Sequence, residues 1–191
     1  AQLAVSKRLA LDVGATDFTA YNIVTGPNFP GLAIHAVFDD LAAWGAAREQ
    51  AVRRPEWAQI FGEDAPTVTV NAVLSESVYT AGDVASVIGQ TKVRFSLIAR
   101  PHRGRAVDAI RRGSRLADTV LQCGALAADL RRGIAGTEAP QMGLHSFHAG
   151  FAEWQATRNA VLESDVWNVL NRSQDEVVTR THNIICTKID V

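Results

Sequence analysis

Two stretches decide how this chain is read: GLAIHAVFDDLAAWGAAREQAVRRPEWAQIF at 31–61 and MGLHSFHAGFAEWQATRNAVLESDVWNVL at 142–170. Trp44 and Trp57 stand thirteen residues apart, as do Trp154 and Trp167, and a shift of 110 lays one pair on the other without a gap. The same shift pairs His35 with His145, Arg48 with Arg158, Gly14-Ala15 with Gly124-Ala125, Gly26 with Gly136 and Pro30 with Pro140. Val68-Thr69 then falls on Val178-Thr179. Identity is low overall but concentrates on rare and structurally special residue types, the mark of an internal duplication.

Working outward from these stretches, each copy reads as the same module. Residues 92–99 (KVRFSLIA) are rich in β-branched and aromatic types and run into Pro101, which predicts a strand. Residues 105–123 have helical spacing, with Val107, Ile110, Leu116, Val120 and Leu121 broadly on one side and Gly124 to stop the helix. Residues 125–132 read as a short helical turn or an irregular strand. A strand at 142–149 follows the turn at 137–140, then a helix at 151–162, a shorter turn around 166–170, and a last strand at 177–189. The order is the split βαβ of a ferredoxin-like module. The predicted fold class is therefore α+β with tandem ferredoxin-like repeats: 1–81, a linker at 82–90, and 91–191. The first copy is incomplete, because the shift maps Ala1 onto Arg111 and leaves no counterpart of the strand at 92–99. The chain opens at Ala1 and its only methionine is Met142; either about twenty further residues, one strand and part of a helix, are expected ahead of Ala1, or another segment fills the gap.

Composition narrows the classes of function. The 191 residues are 47% hydrophobic and 20% charged, with a formal net charge of −1. That balance is ordinary for a globular protein and lacks the basic footprint of a nucleic-acid binder. The short runs Arg53-Arg54, Arg111-Arg112 and Arg131-Arg132 are interleaved with acids and read as solvated faces. Cys123 and Cys186 have no metal-type spacing and read as buried thiols of a cytoplasmic protein. No apolar run reaches the length of a membrane span. There is no Gly-rich phosphate loop, GxSxG elbow, HExxH or CxxC pair, which argues against a nucleotide-dependent enzyme or a zinc hydrolase. The glycines at 113 and 133 read as helix punctuation.

The two quoted stretches, each a strand followed by a helix carrying Trp, Arg and a second Trp, resemble the dimeric α/β-barrel superfamily, within which the antibiotic-biosynthesis-monooxygenase-like and NIPSNAP-like groups look closest. The resemblance implies two sheets closing a small apolar cavity, as a pseudo-dimer within one chain or as a homo-oligomer. It implies an apolar or aromatic small molecule as partner. Activities in the superfamily include cofactor-free oxygenation of aromatic compounds, haem binding or haem degradation, and small isomerase or lyase reactions.

Several residues are candidates for chemistry. Arg48 and Arg158 fall within the stripes Leu41, Trp44, Val52 and Phe151, Trp154, Leu162 at about 100° per residue. A guanidinium there either stacks on its tryptophan or binds an anion from the cavity. His35 and His145 lie mid-strand at equivalent positions and suit a general base or a haem ligand if their face lines the cavity, or else are satisfied core histidines. His148 points to the other face from His145, and His102 sits in a solvated turn. In the last strand, strict alternation puts Arg180 and His182 on one face and Thr179, Thr181 and Asn183 on the other. The first copy has Val70 and Ala72, and Thr69, Asn71 and Val73, at those places. With Arg94 and Ser96 this predicts either a polar cluster of Arg94, Arg180 and His182 or an exposed sheet edge.

Three readings of function stay open at this point. One is a metal-free, cofactor-free small-molecule enzyme of the monooxygenase-like type acting on an aromatic or polyketide-like compound. In it His35, His145 or His182 abstracts a proton, Arg94, Arg158 or Asn183 stabilises the oxyanion, and Arg180 and Trp154 help bind the substrate. A second is a haem-binding or haem-degrading protein with one of those histidines as axial ligand. A third is a non-catalytic assembly or binding module whose cavity is filled by side chains.

Overall fold

The computed structural model describes residues 2–62, 72–136, 141–172 and 177–191. Its elements run α1 (Gln2–Asp12), β1 (Asp17–Thr25), β2 (Gly31–Val37), α2 (Leu41–Ala51), α3 (Pro55–Phe61), β3 (Val73–Ala81), α4 (Val84–Val87), β4 (Val93–Pro101), α5 (Ala106–Gln122), β5 (Ala127–Gly136), β6 (Met142–His148), α6 (Phe151–Glu163), α7 (Asp165–Arg172) and β7 (Val178–Ile189). The fold is α+β. The strands and helices predicted between 92 and 189 are present, and the ambiguous segment from Ala125 resolves as strand β5. The Val68-Thr69 match, the residues Val70 and Asn71 and the turn at 137–140 lie outside the described residues.

The chain forms two compact units, one from 1–22, 31–70 and 188–191, the other from 23–30 and 71–187. In the second unit the strand order is β7-β4-β6-β5-β3, with every pair from β7 to β3 antiparallel. Thus 73–81, read from sequence as the end of the first copy, is hydrogen-bonded to β5. One face of this sheet packs on α5. Leu130, Met142 and Leu144 meet Ala109, Leu116, Ala117 and Val120 in a continuous core, joined by Val161 of α6.

The buried stripe of α5 is the expected one except at its start: Leu116 and Val120 are buried and Ile110 and Leu121 pack against the core. Val107 is 69% exposed, and Ala109 and Ala117 turn inward as well. Small residues on that face let the helix axis lie close to the sheet, so packing favours them over the bulkier side chains that hydropathy alone would select. Gly113 and Gly133 do not punctuate helices: the first is inside α5 and the second inside β5. The helix end is set at Gly124, whose φ of +111° suits glycine. Gly124 N–H donates to the Leu121 carbonyl and Ala125 N–H to that of Val120, satisfying two carbonyls that the last turn leaves open.

The first unit contains α1, α2, α3 and β2, with β1 as far as Asn22. Its core joins Leu9 and Val13 of the α1 end to Ala47 and Ala51 of α2 and Ile60 of α3, with Trp57 and Phe38 against them. Asp40 caps α2 by accepting from Ala43 N–H at 2.7 Å. The α1 end repeats the α5 end: Gly14 has φ +106°, and Gly14 and Ala15 donate to the carbonyls of Leu11 and Ala10.

Arg48 and Arg158 do not lie in the buried stripes of their helices. Ala47 and Ala51 are the buried residues of α2, and Thr157 and Val161 those of α6, while both arginines are exposed. Leu41, Val52, Phe151 and Leu162, which defined the expected stripes, are all exposed as well. The apolar content of these short helices is nearly uniform around the axis, so the inward face is chosen by the neighbouring elements and not by the hydropathy pattern. The thiols are free: Cys186 is buried and Cys123 half-buried. No helix among the described residues is long and apolar enough to cross a membrane.

Candidate functional site

A β-bulge decides which polar residues meet. Along β4 and β7 the pairs run Arg94 with Cys186, Ser96 with Ile184 and Ile98 with His182; the register then slips, and Ala99 pairs with Arg180. Thr181 is the extra residue, its hydroxyl donating to the Ile98 carbonyl at 3.0 Å. An inserted residue reverses the alternation beyond it. Arg180 and His182 therefore face opposite sides of the sheet, which corrects the expectation that they share one. Arg180 stands on the helix side with Leu97 and Leu144; His182 shares the other side with Arg94, and the cluster of all three does not form.

On the helix side, the sheet, α5 and α7 line a half-open cavity of about 90 Å³. Leu97, Leu130, Met142, Leu144 and Val178 form its floor, Ala109, Gly113 and Leu116 its α5 wall, and Trp167 and Leu170 its α7 wall. Arg112, Asn171 and Arg180 add the polar side chains. The Arg180 guanidinium lies over the Trp167 ring, 5.1 Å from its centroid, so the aromatic face both attracts the cation and orients its plane. Arginines on an apolar wall favour a ligand that is apolar at one end and anionic at the other, because the low dielectric strengthens each charge contact.

The opposite face of the same sheet carries a second polar group, built row by row from the register. Ser96, His145 and Asp129 stand directly across from one another on β4, β6 and β5. Ser96 Oγ is 2.7 Å from His145 Nδ1. Asp129 accepts from Ser77 Oγ at 2.6 Å and from Arg131 Nε at 2.5 Å. Arg94, 4% exposed, donates to Cys186 Sγ at 3.8 Å. Burial, then the charges of Arg94 and Arg131, hold the His145 imidazole well below its usual range, so it is neutral at pH 7. Burial also raises the Cys186 thiol, against the pull of Arg94. Ser96, Asp129 and Cys186 are each at most 2% exposed and His145 is half-buried, so this row is a largely buried polar layer of the sheet.

The remaining candidates are scattered. Asn183 pairs with Leu97 on β7 and is exposed. Trp154 is half-buried, its ring 6.2 Å from Phe95 and 6.4 Å from Phe151. Arg158 is on the exposed side of α6 and donates to Asn159 at 3.5 Å. His35 lies in the other unit with its ring edge-on to Tyr21 at 5.8 Å. His148 is 1% exposed and hydrogen-bonds the Ser146 hydroxyl at 2.9 Å. His102 meets the Thr179 hydroxyl at 3.1 Å. Of the residues proposed from sequence, only Arg180 reaches the cavity; Arg112, Asn171, Trp167 and Gly113 were not singled out for it. Trp167 was visible as a repeated tryptophan, but Arg112 was hidden in a run that read as solvated. Arg111 does pair with Asp108 at the surface, while its neighbour turns to the cavity. Among the described residues no group of three His, Cys, Asp or Glu is placed to hold a metal ion.

No family profile and no curated protein matches the chain. Solved structures do. An anthrone oxidase-like protein aligns with a TM-score of 0.66 and 12% identity over 99% of this chain and 85% of its own. A candidate monooxygenase of Fusobacterium nucleatum aligns with a TM-score of 0.60 and 8% identity, covering 98% of this chain and 84% of its own. Another from Lactobacillus acidophilus gives 0.53 and 9%, covering 99% and 91%. At such identities the likeness is one of fold: the chain has the α+β fold of monooxygenase-like proteins.

Proposed function

We propose that the protein is a small-molecule enzyme of the monooxygenase-like type, acting on an aromatic or polyketide-like compound in the α5–α7 cavity without a resident metal or organic cofactor. The observation that carries this reading is the make-up of the cavity: apolar walls with Arg112, Asn171 and Arg180 as the polar side chains. A hydroxyaromatic or enolisable substrate would bury its apolar part there and hold its oxygen against Arg180. A guanidinium beside that oxygen lowers the pKa of the substrate hydroxyl, so the substrate binds as its electron-rich anion. None of the described residues lining the cavity is a carboxylate or an imidazole, so the substrate's proton passes to solvent rather than to a histidine. Oxidation of a CH₂ group by O₂ then gives C=O and water, one oxygen atom going to carbon and the other leaving with both hydrogens. The names of the similar structures support the same class of reaction.

We further propose that 1–81 and 91–191 are tandem ferredoxin-like copies, with kinship to the NIPSNAP-like group. Supporting this, α2 and α6 begin at Leu41 and Phe151, and α3 and α7 at Pro55 and Asp165, each 110 residues apart. The glycines at 14 and 124, and at 26 and 136, also share positive φ.

Oxygen consumption and calorimetric binding with a panel of one- to three-ring phenols test the function. The wild type is expected to bind and to consume O₂. R180L removes a charged hydrogen bond of about 1.5–3 kcal/mol and should weaken binding roughly 10- to 150-fold. Binding that survives R180L unchanged, or a wild type that binds none of the panel, rejects the proposal.

A further inference from the structure

We infer that Trp167 is the positioning residue of Arg180: its indole face holds the guanidinium at the cavity, so that a bound hydroxyaromatic ligand is kept as its anion. The inference rests on the reading of that cavity as the ligand site. Arg180 comes from β7, where it pairs with Ala99, and Trp167 from α7, so the two meet only in the folded unit. The guanidinium carbon stands 5.1 Å from the centroid of the indole ring, within reach of a cation–π contact. Both side chains line the cavity. The tryptophan is itself anchored. Its backbone N–H donates to Ser164 Oγ at 3.1 Å, and that hydroxyl donates to the Val161 carbonyl at 2.7 Å. Val161 is 7% exposed, and the Trp167 side chain packs against the same core. A long arginine side chain loses rotamer freedom when its head is fixed. A platform that already restrains the head lessens that loss on ligand binding, and it leaves guanidinium donors for the ligand's oxygen.

The matching tryptophan of the other stretch is used differently. Under the shift of 110, Trp57 corresponds to Trp167, Phe61 to Asn171 and Val70 to Arg180. Residues i and i+4 of a helix are neighbours on its surface, so position 61 lies beside Trp57 as 171 lies beside Trp167. In the first unit that neighbour is aromatic, and Trp57 packs on Phe61 with ring centroids 4.4 Å apart. In the second it is the smaller, polar Asn171, and the indole face carries a cation instead. One difference removes an aromatic neighbour and the other supplies the charge. A tryptophan that packs in one copy thus serves as a platform in the other.

Titrations with 4-nitrophenol, whose anion is coloured, and with 4-nitroanisole, its uncharged methyl ether, test the inference on wild type, W167L and W167F, with thermal melts to confirm folding. Wild type should bind the phenol more tightly than the ether, and the bound phenol should ionise at a lower pH than the free one. In W167L the ratio of phenol to ether affinity should fall by about 3- to 30-fold, and the ionisation should move back toward that of the free phenol. W167F keeps an aromatic face and should lie between. If folded W167L weakens both compounds equally and the bound phenol ionises as in wild type, Trp167 is only a wall; the positioning role is overturned while the ligand site stands. A wild type that prefers the ether overturns the holding of the anion and the part of Trp167 in it. If the folded wild type binds neither compound, the ligand site falls and this inference with it.

Discussion

Residues 31–61 and 142–170 carry the same histidine, arginine and paired tryptophans, yet their strands have different fates. Met142 and Leu144 of β6 are each 6% exposed, whereas Leu32 and Ile34, 110 positions earlier in β2, are 45% and 47% exposed. Similar strands thus become core in one copy and surface in the other. The residues that make a cavity also belong to one side of this comparison. Gly113, Arg112 and Asn171 correspond to Leu3, Gln2 and Phe61, so a glycine is replaced by a bulky residue, a charged group by a neutral one and a polar group by an apolar one in the first copy.

The largest effect expected from this contrast is on stability. Leu144→Ala removes a buried side chain and should cost about 2–5 kcal/mol, against less than about 1 kcal/mol for Ile34→Ala at its exposed counterpart. Urea unfolding of the two variants measures both. Equal losses would break the contrast.

Acid should separate the copies next. His148 corresponds to Phe38 and is held neutral by burial at a pKa of about 4, with Glu153 pulling weakly the other way. Its folded pKa lies below the value of about 6.5 expected in the unfolded chain. Stability from this site is therefore complete above pH 6.5 and falls as the pH drops toward 4, by up to about 3 kcal/mol. His145 acts with the same sign, so His148→Phe should flatten the stability profile between pH 6.5 and 4 only in part. An unchanged slope in urea melts across that window would show that His148 is not the group being titrated.

The smallest effect concerns helix starts. Asp40 caps α2, while α6 begins after Gly150 without a side-chain cap. Asp40→Ala should cost about 1 kcal/mol, read as a fall in melting temperature. A loss no larger than that of an exposed control substitution would mean that the two helix starts are equivalent.

Much of the fold was legible because its signals are local. β-branched runs, helical spacing and the Gly124 stop each depend on a few neighbouring residues, and α5, β6, α6, α7 and β7 fall close to where these signals put them. The site was less legible. Strict alternation paired Arg180 with His182, and a single extra residue at Thr181 separated them; a bulge leaves no mark in a hydropathy pattern. Arg48 and Arg158 looked inward on helices whose apolar residues surround the axis, and tertiary packing chose the other side. Gly113 looked like punctuation because its close approach to Leu130 involves a strand seventeen residues further on.

What the sequence determined by itself is the kind and order of the elements, since backbone geometry and side-chain periodicity act over a turn or a strand pair. Which face of the sheet holds a cavity, and which arginine reaches it, was decided only in the tertiary structure. Strand register, the bulge and the approach of α5 each depend on contacts between residues far apart in the chain, and a change of one residue in register turns a side chain from one face to the other.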